Sequence, residues 1–137
     1  MPECLNCSKE YKKKSVHHLF CTKRCCGIYA KSNTWEGYFK ALLKNTSEDR
    51  SRLSVNYLMR LFNKQKGLCA LSGIEMTKVA GKGMIQTNAS IDRIKPGSAY
   101  EPGKIRLVCT LINGFRGNAT DKEFLWWINK IAEHNLS

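Results

Sequence analysis

Along this chain the spacing of apolar residues changes period twice. Trp35, Tyr38, Phe39, Leu42 and Leu43 follow the three-and-four spacing of one helix face. The polar, turn-prone stretch NTSEDRSR, residues 45–52, interrupts that rhythm. Ser54 then reads as an N-cap, Val55, Leu58, Met59 and Phe62 resume helical spacing, and Gly67 supplies a stop. Aromatic residues at such spacing point to core rather than to a platform for stacking bases. Beyond residue 67 the period shortens. LCALSGIEM is a short apolar run broken at Gly73, and KVAGKGMIQTN reads as a loop or hairpin tip. SIDRI and KIRLVC read as short strands flanking a turn that holds Pro96, Gly97, Pro102 and Gly103. TLINGFRGN begins as a helix and ends near Gly117. In the last segment Thr120 and Glu123 form a capping box ahead of FLWWINKIAEH. Phe124, Trp127, Ile128 and Ile131 share one face there, which predicts packing against the body. The elements add up to an α+β chain.

Residues 1–30 lack the apolar content for a core of their own, and a unit that short needs a metal or disulfides. They hold five of the seven cysteines: Cys4, Cys7, Cys21, Cys25 and Cys26. MPECLNCSKE has no apolar leader, and no run approaches the roughly 20 apolar residues of a membrane span. The expectation is a cytoplasmic protein with reduced thiols and no membrane partner, in which clustered cysteines bind metal. Two close pairs, C-x2-C and C-x3-C, supply the four thiolates of a tetrahedral zinc site. The expected ligands are Cys4, Cys7, Cys21 and Cys25, with Cys26 as the spare. FCTKRCC resembles the second knuckle of treble-clef zinc fingers, in which the second pair opens a helix. His17 and His18 are the substitute ligands, though both fit better as exposed neighbours of the lysine run.

The chain of 137 residues carries a formal charge of +12. That favours a polyanionic partner, with nucleic acid the first choice. Lys12, Lys13, Lys14, Lys23 and Arg24 would give the finger phosphate contacts that add affinity without sequence choice. The structural alternative is a solvated basic surface around a zinc staple.

In order and spacing, GLCALSG, SIDRI, GKIRLVCTLINGF and the capped EFLWWI helix resemble the HNH endonucleases of the His-Me finger, or ββα-metal, superfamily. The likeness is greatest to the small free-standing HNH proteins common in phage genomes, and it runs from Ser54 to the final helix. It implies a zinc finger over 1–30, a helical linker over 31–66 and an HNH-like nuclease core over 67–137. It also implies hydrolysis of DNA phosphodiesters with magnesium or manganese, nicking or cutting duplex DNA, in the manner of a mobile-element nuclease. Laid on this sequence, the resemblance makes Asp92 the acidic metal ligand and Asn113 the ligand from the following helix. Arg93 takes the place of the histidine base, and Lys104 that of a bracing Asn. Lys95, Tyr100, Lys104, Arg106 and Arg116 are the implied contacts to nucleic acid. A hard cation accepts the oxygens that Asp92 and Asn113 offer. Asp92 otherwise pairs with Arg93 or caps the turn, and Asn113 otherwise caps the helix end.

Arg93 departs from the pattern, because a guanidinium stays protonated and accepts no proton. Three accounts follow. Arg93 clamps the scissile phosphate while metal-bound water needs no separate base. A distant group, His17, His18, His134 or Glu75, serves instead. Or the chain binds nucleic acid without cutting it. The resemblance favours the first. Cys69 and Cys109 stand alone where many HNH proteins carry zinc-binding pairs, and read as buried apolar residues.

Overall fold

The computed structural model describes residues 1–15, 18–44 and 46–136, so His17 lies outside the described residues. Five helices and one two-stranded sheet follow in chain order. They are α1 (Lys23–Ser32), α2 (Trp35–Lys44), α3 (Val55–Lys64), β1 (Ala89–Arg93), β2 (Ile105–Cys109), α4 (Thr110–Arg116) and α5 (Asp121–Leu136). No helix among the described residues is long and apolar enough to cross a membrane.

Side-chain oxygens set the helix starts. Thr22 accepts from the Cys25 amide at 3.1 Å, Thr34 from Gly37 at 3.0 Å and Ser54 from Tyr57 at 3.1 Å. The Thr120 hydroxyl accepts from the Glu123 amide at 3.2 Å, the expected N-cap, and donates to Glu123 Oε1 at 2.9 Å, so that the two residues meet through their side chains. At the end of α3, Lys66 and Gly67 both adopt positive φ, +57° and +73°, and turn the chain back.

β1 and β2 pair antiparallel in the register Ala89↔Cys109, Ile91↔Leu107, Arg93↔Ile105. Alternation sends Ala89, Ile91, Ile105, Leu107 and Cys109 to one face, where they meet Tyr38, Phe39, Leu53 and Leu58 from α2, α3 and the segment between them. Trp35 stacks at 4.3 Å on Phe62, joining α2 to α3. The buried Tyr38 hydroxyl donates to the Ala89 carbonyl at 2.7 Å, and burial pushes its pKa up to about 12. One hydrophobic cluster thus draws on residues both before and after position 67. Gln65 extends the sheet without a strand. Its amide nitrogen donates to the Leu107 carbonyl at 2.9 Å, and its oxygen accepts from the Leu107 amide at 3.0 Å.

The stretch LCALSGIEM makes a tight turn closed by the Leu68–Glu75 bridge. Cys69 and Cys109 are both buried in the core, in agreement with their apolar reading. The Cys69 sulfur accepts from the Cys109 amide at 3.2 Å and the Ser72 amide at 3.4 Å.

α5 departs from expectation. Of its apolar stripe only Phe124 is buried, while Trp127, Ile128 and Ile131 are 62%, 40% and 57% exposed. Spacing located the stripe but does not say what covers it.

Candidate metal centre and hairpin site

The finger begins with a tight turn. Cys4 accepts from the Ser8 amide at 2.9 Å through its carbonyl and donates its own amide to Lys9 at 2.9 Å. Ser8 takes φ +63° to complete it. That turn carries Cys4 and Cys7. The second pair stands at the opening of α1, where the Thr22 cap fixes the first turn. The Leu5 amide bonds the Leu19 carbonyl at 3.1 Å and brings the two pairs together. The Tyr11 hydroxyl, bonded to the His18 carbonyl, closes the loop between them.

The sulfurs of Cys4, Cys7, Cys21 and Cys25 all lie within 4.8 Å of one another. Cys7 and Cys21 are 3.7 Å apart, and Cys21 and Cys25 3.5 Å. Four sulfurs about 2.3 Å from one zinc would sit about 3.8 Å apart, so the spacing fits a tetrahedral ion. Four cysteines are therefore positioned to bind a metal, consistent with structural zinc. Burial works to raise the Cys4 thiol, but amides of Cys21, Cys7 and Asn6 aimed at its sulfur bring it down to about 6. The hydrogen bond with Cys25 leads the causes that hold the Cys21 thiol high, at about 12. Sulfurs this close together would exchange their shared protons for a cation on binding it. Cys26 is exposed and outside the cluster. His18 lies beside Tyr11, ring centroids 4.9 Å apart, and is not one of the clustered ligands. Lys12, Lys13, Lys14, Lys23 and Arg24 are all exposed around the finger.

Across the molecule, the second face of the hairpin carries Ser90, Asp92 and Arg106, closed over by α4 and the start of α5. Asp92 is 3% exposed. Its Oδ1 accepts from Arg116 Nη1 at 2.6 Å and its Oδ2 from Arg106 Nε at 2.8 Å. Arg116 is equally buried, and donates further to the carbonyls of Arg93 and Ile94, both at 2.8 Å. Its Nε lies 3.2 Å from Asp121 without hydrogen-bond geometry. Arg106 reaches on to Asp121 with two bonds of 2.7 and 2.6 Å. Arg106 holds the Asp121 carboxyl below its ordinary range, with Arg116 adding to the effect, and Asp121 in turn raises the Arg106 guanidinium. Two carboxylates and two guanidinia thus form one network across β1, β2, α4 and α5.

Asn113 shares this face. Its amide nitrogen donates to Ser90 Oγ at 2.8 Å and, at 3.4 Å, to the Ile91 carbonyl. A cavity of about 40 Å³ has Asp92, Arg93, Tyr100, Asn113 and Arg116 among its lining residues. The side chain of Arg93 leads elsewhere, as strand alternation requires of the residue after Asp92. It donates to the Ser98 carbonyl at 3.2 Å and lies 5.1 Å from the Tyr100 ring, which Arg50 approaches at 5.0 Å. Lys95 is exposed at the hairpin turn. Lys104 is exposed too, but bonded to Glu101 at 2.5 Å.

A divalent cation does not fit Asp92 as it stands. Both carboxylate oxygens already accept from guanidinium groups within 3 Å, and those two positive charges would oppose a third cation. Arg106 and Arg116, expected as surface contacts, are turned inward by the same pairing. Sequence reasoning missed Asp121, which completes the network. The available signal was an acid in the first turn of a capped helix, where the helix dipole also welcomes it. His134 and Glu75 are exposed, and no hydrogen bond links either to Asp92 or Asn113. Comparison with protein-family models, curated proteins and solved structures finds no match to this chain.

Proposed function

We propose that the protein binds nucleic acid through a zinc-stapled basic finger and an HNH-like hairpin–helix frame, without cleaving it. The observation that carries this reading is the closed Asp92 site: the one acid at the expected metal position is buried and shared between Arg106 and Arg116. The formal charge of +12 and the exposed Lys12, Lys13, Lys14, Lys23, Arg24 and Lys95 supply the attraction to phosphate.

A specific observation favours a second reading, a metal-dependent DNA endonuclease of HNH type. The strand–turn–strand–helix order sets Asp92 and Asn113 on one face of the hairpin, beside one small cavity, as the resemblance requires. In that reading the Asp92 pairs open when substrate arrives, and phosphate takes the released guanidinia. Magnesium or manganese would supply Lewis-acid chemistry there.

One set of assays separates the two. Fluorescence anisotropy with labelled duplex DNA, single-stranded DNA and RNA is run over a range of salt, beside plasmid nicking with magnesium and with manganese. The proteins compared are wild type, Asp92→Asn and Arg93→His. The expected result is binding that weakens steeply with salt and no nicking by wild type. Nicking by wild type that Asp92→Asn abolishes would establish the endonuclease instead. Nicking by Arg93→His alone would mean a frame that lacks only its base. Affinity indifferent to salt would sink both readings.

A further inference from the structure

Between the finger and the core lies a groove that neither the metal centre nor the hairpin site uses. It has two hollows, of about 480 Å³ and about 310 Å³. Trp35 and Met76 line both, so the hollows adjoin at those two side chains. Asn6, from the turn between Cys4 and Cys7, is the finger's share of the first wall. Lys78 and Lys82 come from the loop before β1, and Phe62 and Lys66 from the end of α3 and the turn after it. Each volume falls in the range of roughly 300–1,000 Å³ found for sites that hold compact organic ligands.

The lining argues for the occupant. Three lysines, Lys66, Lys78 and Lys82, stand there against one acid, Glu75. Lys66 and Lys82 are exposed. Trp35 belongs to the core stripe of α2 and packs on Phe62 at 4.3 Å, yet it is only half-buried and forms part of both hollows. Cations spaced along an aromatic wall suit single-stranded nucleic acid, whose phosphates meet the lysines while an unpaired base lies against the indole. A duplex keeps its bases paired inward and offers none to such a hollow without unpairing. The carboxylates of an acidic polypeptide answer the lysines but not the indole. The groove also continues the basic finger. Gly81, beside Lys82, backs onto Ile28 of α1, and the first turn of α1 carries Lys23 and Arg24.

We propose that this groove binds a single-stranded segment of nucleic acid, with a base against Trp35 and phosphates on Lys66 and Lys82. The inference rests on the nucleic-acid reading above and adds a strand-selective site to it.

The test is fluorescence anisotropy on the full zinc-loaded chain, with labelled oligothymidine and labelled duplex DNA. Lys66→Gly with Lys82→Ser removes two charges at exposed positions, and glycine suits the φ of +57° at residue 66. That variant should weaken oligothymidine binding at least about fivefold and duplex binding by less than about twofold. Lys40→Ala with Lys44→Ala removes the same charge outside the lining, and should leave the ratio of the two affinities unchanged. Oligothymidine should quench the tryptophan fluorescence of wild type and of Trp126→Phe with Trp127→Phe, but not that of Trp35→Phe. If the groove variant and the control bind both probes alike, the groove proposal falls and the nucleic-acid reading stands. A wild type that binds neither probe removes both. Quenching that survives in Trp35→Phe overturns the groove proposal. So does polyglutamate that quenches Trp35 as oligothymidine does, which would give the groove to an acidic polypeptide.

Discussion

Arg116 would be a costly residue to lose. It is 3% exposed, it neutralises Asp92, and it satisfies the carbonyls of Arg93 and Ile94 where β1 runs out. Arg116→Met keeps much of the side-chain volume but strands a buried carboxylate with one partner, Arg106. The expected loss is about 3–5 kcal/mol, read as a lower midpoint in urea unfolding. Arg93→Met should cost far less, since that guanidinium is half exposed, with one long bond and a tyrosine ring for company. Sequence alone ranks these two arginines the other way. Arg93 sits in a recognisable hairpin pattern, whereas the inward turn of Arg116 depends on Asp92, 24 residues earlier in the chain. Asp92 itself was singled out from its place in SIDRI, but its partners were not. Which charges face each other inside a fold is a long-range fact, and local spacing does not carry it.

At the scale of elements, local chemistry was legible where local chemistry decides. Ser54 and Thr120 were identified as caps because an N-cap hydroxyl serves amides two or three residues ahead. The hairpin strands were found within a residue of their ends, because alternating apolar residues and a Gly-Pro turn leave few alternatives. The α5 stripe was found too, but not its exposure. Periodicity shows that a face is apolar, and what meets it lies outside the helix. The finger gives the sharpest element-scale prediction. Cys25 lies in the cluster, and Cys26 is exposed and outside it. Cys25→Ser should lose stoichiometric zinc, and Cys26→Ser should retain it, as measured by colorimetric zinc release after thiol modification. Chelation should also remove the fixed turn at Cys4–Lys9, because a unit this small has little else to fold it. The α2–α3–hairpin core should survive that treatment, since its buried cluster contains no residue before Tyr38.

Over the whole molecule, positive charge is abundant but unequally available. Arg106 and Arg116 are consumed internally, whereas Lys12, Lys13 and Lys14 stand exposed together beside the finger. Replacing those three lysines by alanine should weaken duplex binding similarly on all sequences. It should also flatten the slope of log affinity against log salt by up to roughly 3. An unchanged slope in the anisotropy titration would mean that the finger faces away from nucleic acid. The charge total was readable from composition, but the free share needed the pairing map.

One small contact bears on how such a chain can change over generations. A Cβ placed on Gly81, in the loop between the core turn and β1, would sit 2.7 Å from Cδ1 of Ile28 on α1. Gly81 also holds φ +80°, which side-chain-bearing residues seldom adopt. The finger's helix and the loop of the hairpin region therefore share a boundary one methyl group wide. Modules joined by a slack tether can be traded between genes with little penalty, whereas a finger traded in here would have to leave the same room beside Gly81. A foreign finger with a bulkier side chain where Ile28 stands would press on Gly81 and shift the loop. The two halves are thus fitted to each other at this boundary as well as joined through the chain.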